Sequence, residues 1–349
     1  MAPPPDSAPP GQMTPCLVCG SRPAQGSESV LVDSALCEEC ASSLTLGTEE
    51  DAIGQGLESE AGEGLLGRVL EAFWMTSGQW RVRARSRSAG VVTSLALHLL
   101  ESGEVDGMVI PGREGPWGSS HYVARSAEQL LNAVGNRVGK TATIRIGGSH
   151  VSNLAIVSSL RQLDAEEPPD SRWGLVALPC ETYSIARMRR LGFPFVQRLR
   201  CVIGLLCFTN LPTQAAALHR LEQSSGIGLG GLSSVRFEGA VTVTNDQGES
   251  RAIGLEEALA SAPANCRRCS DTSAKHADIS VGEAGAGGGF VTVLARTEPG
   301  LEALRRARAA GYLRTARDLY PDAPPDEETS RLVREAVESL VERKATAIR

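Results

Sequence analysis

Residues 265–289 read NCRRCSDTSAKHADISVGEAGAGGG. Cys266 and Cys269 stand three positions apart, a spacing at which two thiolates reach one metal ion or one iron of a cluster. Asp271 and Asp278 follow and set carboxylate acceptors beside the soft ligands. Gly282, Gly285 and Gly287 to Gly289 then let the backbone approach a flat group or a phosphate without side-chain obstruction. A single Cys-x-x-Cys pair fits a redox dithiol or half a zinc site equally well. The choice among these rests on the surrounding chain.

Upstream, an apolar strand GLVALP runs into LPCETYSIARMRRLG, so Cys180 stands where a strand turns into a helix. The free N–H groups at a helix start favour thiolate there, which suits a cluster ligand or a nucleophile. No histidine with an orienting partner completes a nucleophilic pattern. In RCVIGLLCF, Cys201 lies inside the apolar run and reads as core, while Cys207 ends the strand and can face a site. Further upstream the same alternation continues. The first half of GRVLEAFWMTSGQWRVRARSRSAGVVTSLALHLLESGEVDGMVIPG has strand-like character and precedes a small-residue turn, Ser88 to Thr93, and a helix LALHLLESG that ends at Gly103. Ser88 is the expected N-cap of that helix, and His98 a packed helix residue. VDGMVIP reads as a buried strand, SSHYVARSAEQLLNAV as a turn and an amphipathic helix, KTATIRIGG as a strand and VSNLAIVSSLRQL as a helix. Downstream, two strands flank a hairpin turn at Asn245 to Gly248, GFVTVLA is a strand, LEALRRARAAGYLRTARDL a helix, and residues 323–349 a linker and a last helix with a solvated charged face. This alternation predicts an α/β class, a mixed-sheet core with flanking helices. No G-x-G-x-x-G follows a strand, and VGNRVGKTATI lacks P-loop spacing, so neither a Rossmann fingerprint nor a nucleotide triphosphatase is expected.

The N-terminal region differs in kind. Residues 1–12 are proline-rich and expected to be disordered. Residues 13–44 carry Cys16-x-x-Cys19 and Cys37-x-x-Cys40, two pairs at a spacing that places four thiolates around one ion. A zinc-ribbon-like module is the first reading and an iron–sulfur centre the second. Residues 45–65 are acidic, glycine-rich and linker-like. The core then divides at about residue 150 into 66–150 and 151–322. A net charge of −6 gives no sign of a nucleic-acid partner, and no apolar run approaches the ~18 residues of a membrane helix. The opening MAPPPDSAPPGQ has no basic end and no apolar stretch, so no secretory signal is expected. Nine cysteines without a secretion signal suit metal or cluster ligands in a reducing cytoplasm. Three lysines, Lys140, Lys275 and Lys344, stand among 35 basic residues, a bias that reads as genome composition.

Placed in order, these segments resemble the beta-subunit family of coenzyme F420 hydrogenases and dehydrogenases, over about residues 67–320. Ser88 to Thr93 resembles the family's SGGVxT turn, Ser120-His121-Tyr122 its SKY element, Leu178-Pro179-Cys180-Glu181 its TPCQ motif, and Gly204-Leu205-Leu206-Cys207 its GLFC motif. The CRRCSDTSAKHADISVG stretch is similar to its CxxCxDxxxxxADIxxG segment, and Arg296-Thr297-Glu298-x-Gly300 to its RTEKG. The resemblance implies that Cys180, Cys207, Cys266 and Cys269 bind a 4Fe–4S cluster. It also implies that Ser88, Gly90, Val91, Thr93, Ser120 and Tyr122 help hold FAD, with Asp271 and Asp278 near cluster or flavin. No catalytic residue is assigned. Three departures stand out: Ala89 replaces a glycine, His121 a lysine and Glu181 a glutamine. The N-terminal cysteine pairs also replace the ferredoxin-like run of many relatives.

The function so implied is a flavin and iron–sulfur oxidoreductase subunit that carries hydride to or from coenzyme F420. It would pass single electrons to a redox partner, such as a hydrogenase, a formate dehydrogenase or a ferredoxin-like protein. A ferredoxin-dependent reductase of a tetrapyrrole or other organic substrate on the same core is the alternative. A non-catalytic cluster-binding adaptor is the third reading.

Overall fold

In the computed structural model the described residues are 57, 60–62, 64–86, 88–114, 118–133, 144–146, 155–208, 222–223, 226, 228, 232–237, 241–245, 247–254, 256–257, 269 and 271–348. The four-cysteine module at 13–44 and Cys266 lie outside them, as does the side chain of Ser120. Leu57 and Ala61 are buried, so the end of the acidic linker is packed.

The strands are β1 (Glu71–Ser77), β2 (Gly107–Glu114), β3 (Gly118–Ala124), β4 (Ile144–Ile146), β5 (Trp173–Ala177), β6 (Leu199–Leu205), β7 (Leu232–Phe237), β8 (Val241–Asn245), β9 (Ser250–Ile253), β10 (Ile279–Gly282), β11 (Val291–Ala295) and β12 (Leu313–Thr315). Nine of them make one sheet in the order β12-β1-β11-β10-β6-β5-β2-β3-β4. The four central strands β10, β6, β5 and β2 are parallel, and antiparallel strands extend the sheet on both sides. Every residue of β5 is buried, as expected of a central strand covered on both faces. The remaining strands, β7 to β9, form a separate antiparallel meander with the expected turn after Asn245. There the Asn245 side chain accepts from the N–H of Gln247 and of Glu249.

Both parts of the core contribute to the large sheet, because β2 pairs with β5 and β1 pairs with β11. The helices are α1 (Trp80–Arg83), α2 (Val91–Glu101), α3 (Ala127–Asn132), α4 (Ala155–Glu166), α5 (Pro179–Arg190), α6 (Pro194–Gln197), α7 (Glu298–Ala309), α8 (Ala316–Leu319) and α9 (Asp326–Ile348). One face of the sheet packs on α2, α3 and α7 through Leu95, Leu99, Leu130, Leu301 and Leu304. Strand alternation sends Val176, Cys201, Ile203, Ile279 and Val293 to that side. The other face carries Leu175, Val202 and Leu294 and packs on α4, α5, α6 and α9. Val333, Val337 and Val341 of α9 repeat every four residues and are buried against Ala72 and Leu294, about 1.5–3 kcal/mol each. Among the described residues no helix is long and apolar enough to cross a membrane.

Several expectations are corrected. Ser-Ser-His-Tyr is not a turn: it belongs to β3, held by seven registered pairs with β2. The helix expected over residues 301–319 ends at Ala309, because Gly311 takes φ +78 and the chain then pairs as β12 with β1. Ser88 is exposed and is not the N-cap of α2; Gly90 is, in a left-handed conformation and without a side-chain cap. The last helix does not keep all its charge in solvent, since Lys344 is buried.

Candidate functional site

The parallel strands β6 and β5 end side by side, and each delivers a cysteine. Cys180 occupies the first turn of α5, directly after β5, and Cys207 follows the end of β6. Cys269 precedes the loop that leads into β10, the next parallel neighbour of β6. All three thiols are partly exposed, whereas Cys201 is buried within β6 on the α2 side, as expected of a core residue. Burial pushes the Cys201 thiol pKa well above its ordinary value. Ends of parallel strands are where open α/β sheets bind ligands.

The 271–278 loop is held by its two aspartates. Asp271 accepts from the N–H of Ser273 at 2.9 Å and of Lys275 at 3.0 Å, folding the loop on itself. Asp278 accepts from the N–H of Val202 at 2.8 Å and from the Thr297 hydroxyl at 2.8 Å, tying β10 to β6 and to the start of α7. Both carboxylates are thus engaged with the protein itself. The loop lies flat on β6 because Gly204 has no Cβ. A methyl group there would collide with Ala274 and Ala277. The Cys207 N–H donates to Thr272 O at 2.9 Å, and the Cys269 thiol to Asp271 O at 3.2 Å, so the two cysteine segments are stitched together. Tyr183, one turn beyond Cys180, meets the His276 ring edge-on at 5.2 Å and accepts from Arg187 at 3.3 Å.

Beneath this loop Arg296 is almost fully enclosed. It donates to Ser280 Oγ and Leu66 O at 2.6 Å, Ser273 O at 2.8 Å and Arg68 O at 3.1 Å. Burial brings its pKa down to about 10, against the Asp271 charge that raises it.

Two departures from the family motifs prove to be one. His121 of β3 points to the α4 and α5 side, and its Nε2 lies 3.3 Å from Glu181 Oε1, both side chains being more than nine-tenths buried. Glu181 also accepts from the Leu178 N–H at 2.7 Å, capping the helix that carries Cys180. His121 Nδ1 and the Ser159 hydroxyl are 3.4 Å apart. No pattern along the chain connects residues 121 and 181; only the register of β3, β2 and β5 does.

The other expected site residues group on the opposite face. β1 runs in the same direction as the parallel strands, and Ser77 at its end donates its N–H to Ala89 O at 2.8 Å. Gly90, Val91 and Thr93 at the start of α2 therefore lie at the same end of the sheet as the cysteines. Tyr122 is buried on this face with Val91, while Ser88 is exposed. The α2 N-terminus has free N–H groups and no side-chain cap, a setting suited to an anionic group. A cavity of about 400 Å³ opens at the other end of the sheet, lined by Arg172, Arg200, Cys201 and Arg306, far along the strands from these residues. Among the described residues no three His, Cys, Asp or Glu side chains gather closely enough to hold a metal ion; Cys266 is not among them. The thiols of Cys180, Cys207 and Cys269 are partly exposed soft donors of the type that iron takes.

Two family profiles match the chain, and together they cover more than half of it. Residues 75–144 match the N-terminal part of the coenzyme F420 hydrogenase/dehydrogenase beta subunit, and residues 170–318 match the C terminus of the same beta subunit. The coenzyme F420 hydrogenase subunit beta of Methanothermobacter thermautotrophicus is 25% identical over 256 residues, 72% of this chain and 85% of that protein. The coenzyme F420-dependent sulfite reductase of Methanocaldococcus jannaschii is 24% identical over 249 residues, 67% of this chain but 37% of that protein. Among solved structures, a chain of the F420-reducing [NiFe] hydrogenase complex from Methanosarcina barkeri matches with a TM-score of 0.62 and 21% identity, over 80% of this chain and 93% of that one.

Proposed function

Because the chain belongs to the coenzyme F420 hydrogenase/dehydrogenase beta-subunit family, an oxidoreductase family, we propose that it exchanges hydride with coenzyme F420 and passes single electrons to a partner redox subunit. FAD bound to the chain would split the hydride into single electrons, and a 4Fe–4S cluster would relay them. Cys180, Cys207, Cys266 and Cys269 are the proposed cluster ligands. Gly90, Val91 and Thr93 of the α2 start, with Ser88, Ser120 and Tyr122, are the proposed flavin contacts. The observation that supports this reading is that the α5 start with Cys180 and the end of β6 with Cys207 lie at the same end of the sheet as the α2 start with Gly90, Val91 and Thr93, α5 and α2 packing on opposite faces.

Each part of the chain has a task in this reading. The α2 N–H groups offer donors to a phosphate. Tyr122 and Val91 close the apolar side of that region. Asp271 and Asp278 fix the loop between Cys269 and β10, and so set the ground beside the proposed cluster or flavin. The His121–Glu181 pair holds the first turn of α5, and so Cys180, against β3. The four cysteines at 16, 19, 37 and 40 would bind zinc and serve as a docking element for the partner.

The test is anaerobic purification followed by titration with reduced coenzyme F420 under a visible spectrum. Bleaching of the flavin band, with return of oxidised coenzyme absorbance, is the expected result. A flavin and cluster spectrum that ignores the coenzyme but answers to reduced ferredoxin would sink the hydride assignment in favour of a ferredoxin-dependent reductase. Absence of flavin would leave an adaptor.

A further inference from the structure

The apolar stripe of α9 ends in a charge. Val333, Val337 and Val341 face the sheet, and one turn further along the same face stands Lys344, 2% exposed. A lysine is rarely enclosed to this degree without a counter-ion, because its ammonium loses its hydration. Among the described residues Nζ donates to Cys207 O and Asp271 O, each at 3.4 Å, and no carboxylate pairs with it. Two carbonyls at that distance are weak partners for a full charge. Both belong to the stitched segments that carry Cys207 and Cys269. The helix begins at Asp326, beyond residue 318, where the family match ends. Two of the chain's three lysines, Lys275 and Lys344, border this loop in a protein that otherwise uses arginine.

We propose that Lys344 is a positioning residue whose ammonium is the missing counter-charge of the cysteine site, held there to favour the reduced state of a thiolate-bound cluster. This rests on the cluster reading above. Four thiolates around a 4Fe–4S core would leave a net negative charge, and reduction would add one electron while no bond breaks. A fixed cation beside that charge stabilises the reduced form more than the oxidised one. A compact ammonium reaches such a position from a helix end.

The full chain, Lys344→Met and Lys344→Arg are reconstituted anaerobically with ferrous iron and sulfide. Iron content is measured, and the reduced cluster is followed by electron paramagnetic resonance during a redox titration. At the midpoint of the unsubstituted chain, Lys344→Met should show about tenfold less reduced relative to oxidised cluster, a shift of about 59 mV for one electron. Lys344→Arg should stay near the unsubstituted ratio. Loss of iron from the Met variant alone also supports the proposal, since the charge would then be required to hold the cluster. Full iron and an unmoved midpoint in Lys344→Met overturn it. Loss of iron from both variants overturns it too, because shape rather than charge would then be what matters. An unsubstituted chain that binds no iron sinks the cluster reading itself, and this proposal with it.

Discussion

The layer formed by α2, α3 and α7 covers its side of the sheet largely with leucine, valine and alanine, and among the described residues its buried ionisable side chains are Cys201, Tyr122 and His98, with no carboxylate, arginine or lysine. The layer of α4, α5, α6 and α9 encloses His121, Glu181, Arg187, Arg296 and Lys344 on the other side of the same strands. Buried charge is destabilising unless its hydrogen bonds are met. The second layer meets that requirement for Arg296 and Glu181 through main-chain carbonyls and N–H groups, several of them on the segments that carry the cysteines, and leaves Lys344 with two long contacts. One layer holds the sheet together. The other spends buried polarity on fixing a site.

The sharpest way to break this contrast is to exchange cysteines between the layers. Cys207→Ala or Cys266→Ala should abolish the visible absorbance of the proposed cluster, whereas Cys201→Ser on the apolar side should retain it. Retention in the first two, or loss in the third, would mean that the ligand set was drawn wrongly.

Arg296→Met tests the enclosed charge. It leaves Ser280 Oγ and three carbonyls without their donor. An expected loss of about 3 kcal/mol or more, read as a lower urea midpoint, follows from unmet buried acceptors at about 1–3 kcal/mol each. A change under about 1 kcal/mol would show that this layer tolerates loss of its polar ties.

The His121–Glu181 pair gives a smaller, coupled effect. Glu181→Gln and His121→Lys, each alone, should destabilise the chain, and the double variant, which restores the residue pair of the family motifs, should recover about 1–2 kcal/mol of the sum. Additive losses in a double-mutant cycle would separate the two positions. His98 offers the smallest effect. Burial holds its pKa below the ordinary value, although the Glu104 carboxylate raises it. The unfolded chain then takes the proton more readily, so stability is fully present above about pH 6.5 and declines as pH falls through the folded value. His98→Leu should flatten the urea midpoint between pH 7.5 and 5.5; an unchanged slope would assign the pH dependence elsewhere.

Much of this architecture is legible along the chain. Apolar runs such as GLVALP and RCVIGLLCF mark two of the parallel strands, and each has a cysteine at or just past its end. Cys201 is recognisable as core because apolar residues surround it. What escapes is whatever depends on pairing across the sheet. Ser-Ser-His-Tyr is polar enough to read as a turn, and only its partner β2 makes it a strand. His121 and Glu181 meet across three strands, so neither residue announces the other. The α9 periodicity is plain at 333, 337 and 341, but a charge in the next position reads as the helix returning to solvent, since nothing local tells which carbonyls await it. The two aspartates after Cys269 are visible as a motif, while their role as main-chain acceptors appears only with the fold.

β1 lies between β11 and β12, so a strand near residue 75 receives both of its neighbours from residues 291–315. On a ribosome adding roughly 5–20 residues per second, that strand waits on the order of 10 to 40 s for its first partner. During that interval its two open edges are exposed to other nascent chains. Synthesis of this protein is thus a period of vulnerability that ends only when the C-terminal third has emerged, and its yield should respond to chaperone supply and to translation speed more than its finished stability suggests.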